Sequence, residues 1–247
     1  LPPLPGFAGS PGLSGVLEKA LGDLRALEDG GADGVLVENE HDHPHEIEAS
    51  RATIAAMTRV AGELVASARR AIVGVEILLN DPEASLAVAA ASGAGFIRTD
   101  YFVDRMTRSE YGEMRIDPVG LMRLRGRLSA SSILVLADIQ VKYARMIAPR
   151  PLAASAREAA RCAADAIVVT GGATGEPPSC ADLRAAREGA AGLPVFIGSG
   201  LDAANARDLL ALADGAIVGS SLKTGDMVDR GRVEVLTAIA RSLPPVP

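Results

Sequence analysis

The clearest chemical signal in the chain lies in one apolar stretch and its exit. Read as a strand over 133–141, the period of two puts Leu136, Asp138, Gln140 and Lys142 on one face. Three polar groups then leave the stretch together. Other apolar runs end the same way: Glu38 with Asn39 at its edge, Glu76 followed by Asn80, Arg98 with Asp100, and Thr170. Acids buried this close to one another cost several kcal/mol unless paired or bound to a cation, and Arg98 and Lys142 could neutralise two of them. As chemistry, Asp138 or Glu76 would serve as general base. Lys142 would be electrophile, general acid or Schiff-base amine, and Arg98 an anion clamp. Glu38, Glu76 and Asp138 offer the hard oxygen that Mg²⁺ prefers, although nothing in their spacing demands a metal. The competing reading is an ion-pair network with no chemical role.

A second set of residues suits anion binding. Val195-Phe196-Ile197 breaks into Gly198-Ser199-Gly200, a helical stretch follows over 202–210, and Ala216-Ile217-Val218 breaks into Gly219-Ser220-Ser221. Glycine lets a backbone approach an anion closely, and amides at a helix start point toward it. The loop Thr170-Gly171-Gly172-Ala173-Thr174-Gly175-Glu176-Pro177-Pro178 directly follows another strand, and two hydroxyls among small residues form a candidate phosphate nest.

The elements that must carry these groups alternate along the whole chain. Helical periodicity over 14–28 stops at Gly30-Gly31, and Asn80-Asp81-Pro82 reads as a capped helix start with proline at its first position. Ser179 and Asp182 have capping-box spacing. Strands are expected over 34–38, 72–79, 96–100, 133–141, 166–170, 195–197 and 216–218. Helices are expected over 51–69, from Asp117-Pro118 to near Leu128, over 151–163 and over 229–241. The turn pattern of Ala32-Asp33-Gly34, Ala94-Gly95-Phe96, Ala164-Asp165-Ala166 and Ala213-Asp214-Gly215 recurs before every second strand, so the repeat is two βα units. Near-continuous apolar strands call for a parallel sheet covered by helices. A doubly wound sheet would show a glycine fingerprint after its first strand and polar residues at one switch point; neither is present. The expected fold is therefore an α/β TIM (β/α)8 barrel, one domain over 1–247, with Leu1–Leu4 as the stub of a first strand whose start is missing. In such a barrel the glycine loops after the last two strands are where phosphate binds, and 101–111 reads as a mobile flap over the mouth.

Composition narrows the functional classes. At 247 residues with 48% hydrophobic content, the chain can bury a large core, and three Tyr, four Phe and no Trp make that core aliphatic. A net charge of −6 argues against a nucleic-acid surface. No apolar run is long enough to span a bilayer. Two cysteines, Cys162 and Cys180, form no disulfide framework, so a cytoplasmic location is expected. The string His41-Asp42-His43-Pro44-His45 could gather a transition metal, but solvent-facing histidines are the commoner outcome in a loop.

The chain resembles the BtpA/SgcQ family over almost its full length. Carrying the resemblance are Leu4-Pro5-Gly6, Gly34-Val35-Leu36-Val37-Glu38-Asn39, Asn80-Asp81, Phe96-Ile97-Arg98, Ala137-Asp138-Ile139-Gln140-Val141-Lys142, the Thr170-to-Pro178 loop and Gly198-Ser199-Gly200. The resemblance implies a barrel of the ribulose-phosphate-binding type. It is looser about function, since the namesake is linked to photosystem I biogenesis. Glu76, Asp100 and Gln140 depart from the family pattern, and the first two make the mouth more acidic. The leading expectation is an enzyme with lyase-, isomerase- or aldolase-like acid–base chemistry on a small phosphorylated metabolite, a phosphosugar or nucleotide-like compound. The alternatives are a non-catalytic assembly or regulatory factor and a purely structural barrel; self-association into a homo-oligomer is compatible with each.

Overall fold

The computed structural model describes residues 1–246. The chain divides into two compact units, one of residues 1–99 and 123–134, the other of residues 100–122 and 135–247.

The first unit begins with helix α1 (Gly12–Gly30), strand β1 (Gly34–Glu38), helix α2 (Arg51–Ser67), strand β2 (Ile72–Glu76), helix α3 (Pro82–Ser92) and strand β3 (Phe96–Thr99). The boundaries have local causes. Gly31 closes α1 in the left-handed conformation, with φ of 95°. The Ser50 side chain caps α2 by accepting from the Thr53 amide, and Asp81 caps α3 by accepting from the Ala84 amide, with Pro82 next to it. β1, β2 and β3 are parallel, with Glu38 opposite Glu76 and Val75 opposite Ile97. The Phe96 ring lies on the bare face of Gly74, where any Cβ would collide with it.

Glu28, near the end of α1, is 1% exposed. Its carboxylate accepts from the amides of Arg69, Arg70 and Ala71 at 2.8–3.0 Å and from Arg69 Nε at 3.0 Å. Burial pushes this acid up, but the three amides and the guanidinium outweigh it and hold the carboxyl at about 2.

Leu1–Leu4 forms no strand, contrary to expectation. Leu1 N donates to the Glu38 carbonyl at 2.8 Å, the Leu4 amide donates to Asp42 Oδ1 at 2.7 Å, and Leu4 is fully buried.

Helix α4 (Pro118–Arg127) belongs by its first residues to the second unit and by its last to the first. In the second unit, β6 (Leu134–Ile139), β8 (Ala166–Val169), β9 (Val195–Ile197) and β10 (Gly215–Ala216) are parallel neighbours in that order. Asp138 lies opposite Val168, Val168 opposite Phe196, and Phe196 opposite Gly215. The Phe196 ring covers Gly215, the same device as Phe96 on Gly74. The connecting helices are α5 (Leu152–Arg161), α6 (Cys180–Gly189) and α7 (Ala206–Leu210). Ser179 and Asp182 form the reciprocal capping box expected at the start of α6. After β10 come a single 3₁₀ turn (Ser220–Leu222), a small hairpin and the last helix, α8 (Arg230–Arg241).

The segment expected as a flap, residues 101–111, contains a strand. β4 (Met106–Arg108) pairs antiparallel with β5 (Gly112–Met114) and with β7 (Arg145–Met146), making a three-stranded ribbon. Tyr101 and Phe102 at its base are buried, at 1% and 0% exposure. Asp104 anchors it, accepting from the Gln140 amide, Ser155 Oγ and two nitrogens of Arg150 at 2.6–3.0 Å. No helix among the described residues is long and apolar enough to cross a membrane.

Candidate functional site

In the first unit, Glu38, Glu76 and Arg98 occupy one level across three adjacent strands, each at or next to the C-terminal end. Arg98 lies between the two acids, its guanidinium 3.4 Å from Glu38 Oε1 and 3.7 Å from Glu76 Oε2. Glu76 and Arg98 are buried, while the Glu38 side chain keeps 27% exposure. An arginine expected to hold a ligand anion is thus engaged by two protein carboxylates. The same geometry bears on Mg²⁺: the guanidinium sits between the two carboxylates that a cation there would have to share with it. Among the described residues no group of three His, Cys, Asp or Glu side chains is arranged to hold a metal ion. His41 and His43 are exposed, and His41 Nδ1 lies 2.6 Å from the Leu1 carbonyl oxygen. Asn39 is structural, donating to Asp42 Oδ2 at 3.1 Å and accepting from the Leu78 amide at 2.7 Å.

In the second unit, Asp138 is fully buried near the end of β6. The expected alternation stops there. Gln140 has φ of 46°, a left-handed conformation that turns its side chain to the Arg150 carbonyl oxygen at 3.1 Å and to Ser155 Oγ at 3.0 Å. Gln140 therefore fixes the start of α5 and does not accompany Asp138. Lys142 follows the turn; its amide donates to Thr170 Oγ1 at 3.0 Å, and its half-buried ammonium makes no hydrogen bond or ion pair among the described residues. Thr170 is thereby used to hold two strand exits together.

The loop after β8 folds onto the loop after β9. Ser199 Oγ donates to the Glu176 carbonyl at 2.7 Å and accepts from the Gly171 amide at 2.9 Å. Gly200, with φ of 67°, and Gly171 both lack room for a Cβ because the backbone of Glu176 and Pro177 passes against them. These two glycines admit a neighbouring loop. Thr174 is exposed, and its amide donates to Tyr143 Oη at 2.8 Å.

Beside this clamp lies a set of unengaged amides. Those of Ser199 and Gly200 after β9, and of Gly219, Ser220 and Ser221 after β10, have no acceptor among the described residues. The two exits are joined by Ser221 Oγ, which donates to the Leu201 carbonyl at 2.6 Å. Gly198 is different: its amide continues the ladder to the Val169 carbonyl at 2.8 Å. The helix expected over 202–210 shrinks to five residues because Asp202 takes the amides of Ala204 and Asn205 into a local turn. Both cysteines are free, and burial first, then the Glu158 charge, push the Cys162 thiol up, away from an activated thiolate.

The sequence profile of the BtpA family matches residues 1–242. The chain belongs to the BtpA family. Within it, an uncharacterised protein of Archaeoglobus fulgidus is 36% identical over 97% of this chain and 95% of its own length. The photosystem I biogenesis protein BtpA of Synechocystis is 39% identical over 85% of this chain and 73% of its own. Among solved structures, thiamine phosphate pyrophosphorylase from Pyrococcus furiosus superposes with a TM-score of 0.64 at 17% identity, covering 92% of each chain. N-(5'-phosphoribosyl)anthranilate isomerase from the same organism gives 0.61 at 17%, covering 91% of this chain and 96% of that one. That likeness shows the fold: this BtpA-family chain is an α/β TIM barrel.

Sequence reasoning placed Glu38, Glu76, Arg98, Asp138 and Lys142 at strand ends, but it did not find the ribbon residues. Arg108 stands over the rings of Tyr111 and Tyr143, 5.6 and 5.4 Å from their centroids. The interleaving of Arg and Tyr over 101–111 was the available signal.

Proposed function

We propose that this BtpA-family chain is an enzyme acting on a small phosphorylated metabolite, a phosphosugar or nucleotide-like compound. The observation that carries the reading is the pair of loops after β9 and β10. Joined through Ser221 and Leu201, they hold the unengaged amides of Ser199, Gly200, Gly219, Ser220 and Ser221 on one unit. Backbone donors gathered in this way are an anion nest, and a short turn after the last strand is where this fold holds phosphate. The solved neighbours whose names carry a phosphorylated compound agree with that choice of anion.

For the chemistry, Asp138 is the general base and Lys142 the electrophile, general acid or Schiff-base amine. Lys142 has its ammonium uncommitted, whereas Arg98 is committed to Glu38 and Glu76. Glu38, Glu76 and Arg98 enter the reading as an ion-paired polar row in the first unit. Gly198, Thr170, Gly171 and Thr174 shape the loops around the nest.

The name of the Synechocystis relative supports a second reading, a non-catalytic factor that keeps a ligand site. Incubation with a pool of phosphorylated metabolites, followed by mass spectrometry, separates the two. The enzyme reading expects one compound to be consumed by the intact protein but not by Asp138→Asn or Lys142→Met, with binding retained in both variants. Binding without consumption by the intact protein favours the second reading.

A further inference from the structure

The ribbon carries a pair of buried donors that the phosphate nest does not use. Tyr101 is 1% exposed, with the Arg108 side chain beside its oxygen but no acceptor for its hydroxyl proton; Arg108 Nε is buried without a partner. An orphaned buried polar group costs about 1–3 kcal/mol, so two side by side call for an explanation. The Arg108 guanidinium lies near enough to offset part of the upward push that burial and Asp100 exert on the Tyr101 phenol. Tyr101 therefore stays protonated at neutral pH and is available to donate.

Arg108 is also held in place. Tyr111 and Tyr143 flank it at cation–π distances. Its ion pair, Nε to Glu110 Oε2 at 3.7 Å, is beyond hydrogen-bonding distance and reaches a carboxylate that is 63% exposed. Tyr143 in turn grips the loop after β8, through its hydroxyl to the Thr174 amide at 2.8 Å and through its amide to the Gly172 carbonyl at 3.1 Å. Ser199 ties the same loop to the exit of β9. A continuous set of contacts in one unit thus runs from the amide nest to Arg108.

Resting on the phosphate reading above, we infer that Tyr101 Oη and Arg108 form a second subsite, for a carboxylate, and that the substrate is a phosphorylated carboxylic acid. A planar carboxylate matches the edge of a guanidinium and takes a further hydrogen bond from a phenol.

The test compares two probes that share a phosphate and differ at a carboxylate: 3-phosphoglycerate and glycerol 3-phosphate, titrated calorimetrically into the full chain. Hydrogen bonds to a charged group make the expected preference for phosphoglycerate about ten- to a hundredfold. Arg108→Gln and Tyr101→Phe, each checked by melting temperature, should each cut that preference severalfold and leave glycerol 3-phosphate binding unchanged. Arg108→Lys should restore only part of it. Equal affinity of the intact protein for both probes, or a preference untouched in both variants, overturns the carboxylate subsite while leaving the phosphate reading standing. Failure of the intact protein to bind either probe overturns both.

Discussion

The Ser199 hydroxyl donates to the Glu176 carbonyl oxygen at 2.7 Å and itself accepts from the Gly171 amide at 2.9 Å. One side chain thus fastens the loop after β8 onto the exit of β9. Ser199→Ala removes a donor and an acceptor together and should cost about 1–3 kcal/mol. Amide hydrogen exchange should rise over residues 171–178 in particular. Unchanged protection of that loop would mean the clamp does not hold it.

Gly200 and Gly219 should respond unequally to alanine. At Gly200 a Cβ meets the backbone of Glu176 and Pro177, and the φ of 67° is itself unfavourable for alanine. At Gly219 nothing lies within 4 Å of the added carbon, and φ is −122°. Urea unfolding should show Gly200→Ala destabilised by roughly 2 kcal/mol or more, and Gly219→Ala by less than about 1 kcal/mol. Similar losses at the two positions would contradict the loop-on-loop packing.

Glu28 links the end of α1 to the backbone before β2, with a carboxyl held at about 2 against an ordinary 4.5. A folded-state value below the unfolded one means stabilisation that is present in full above about pH 4.5 and is lost as pH falls toward 2, on the order of 3 kcal/mol in all. The gap in unfolding free energy between the intact protein and Glu28→Ala should therefore narrow across that window. A gap that stays constant from pH 7 to pH 2 would assign the effect to packing alone.

Arg98 is the cation between Glu38 and Glu76. Arg98→Met leaves two carboxylates opposite each other on neighbouring strands and should cost about 3–5 kcal/mol. Adding Glu76→Gln should recover part of the loss, because one of the two uncompensated charges is gone. Strictly additive losses in the double variant would show that the row is not an electrostatic unit.

Much of this arrangement was legible in the residues. The repeating Ala-Asp turns, the Asp81-Pro82 start and the Ser179–Asp182 capping box act over three or four residues, and local chemistry decides them. Glu38, Glu76, Arg98 and Asp138 could be placed at strand ends because alternation fixes facing as long as a strand stays regular. It failed at Gln140, where a single left-handed residue redirects the side chain to α5. The ribbon was missed for a different reason: strands of two or three residues have no period to read, and their pairing partner is Arg145–Met146, far along the chain. The role of Ser199 is likewise set by a loop that ends more than twenty residues earlier, a contact that no local pattern encodes.

The central claim is that the amides after β9 and β10 hold a phosphate. Gly219→Asp tests it most directly, because the new side chain has room and brings a negative charge to the nest, whereas Gly200→Asp would collide with Glu176 and Pro177 and confuse binding with folding. Calorimetric titration with glycerol 3-phosphate should show binding to the intact protein and at least about tenfold weaker binding to Gly219→Asp, with its melting temperature little changed. Equal binding by the two proteins, or none by the intact one, would contradict the account.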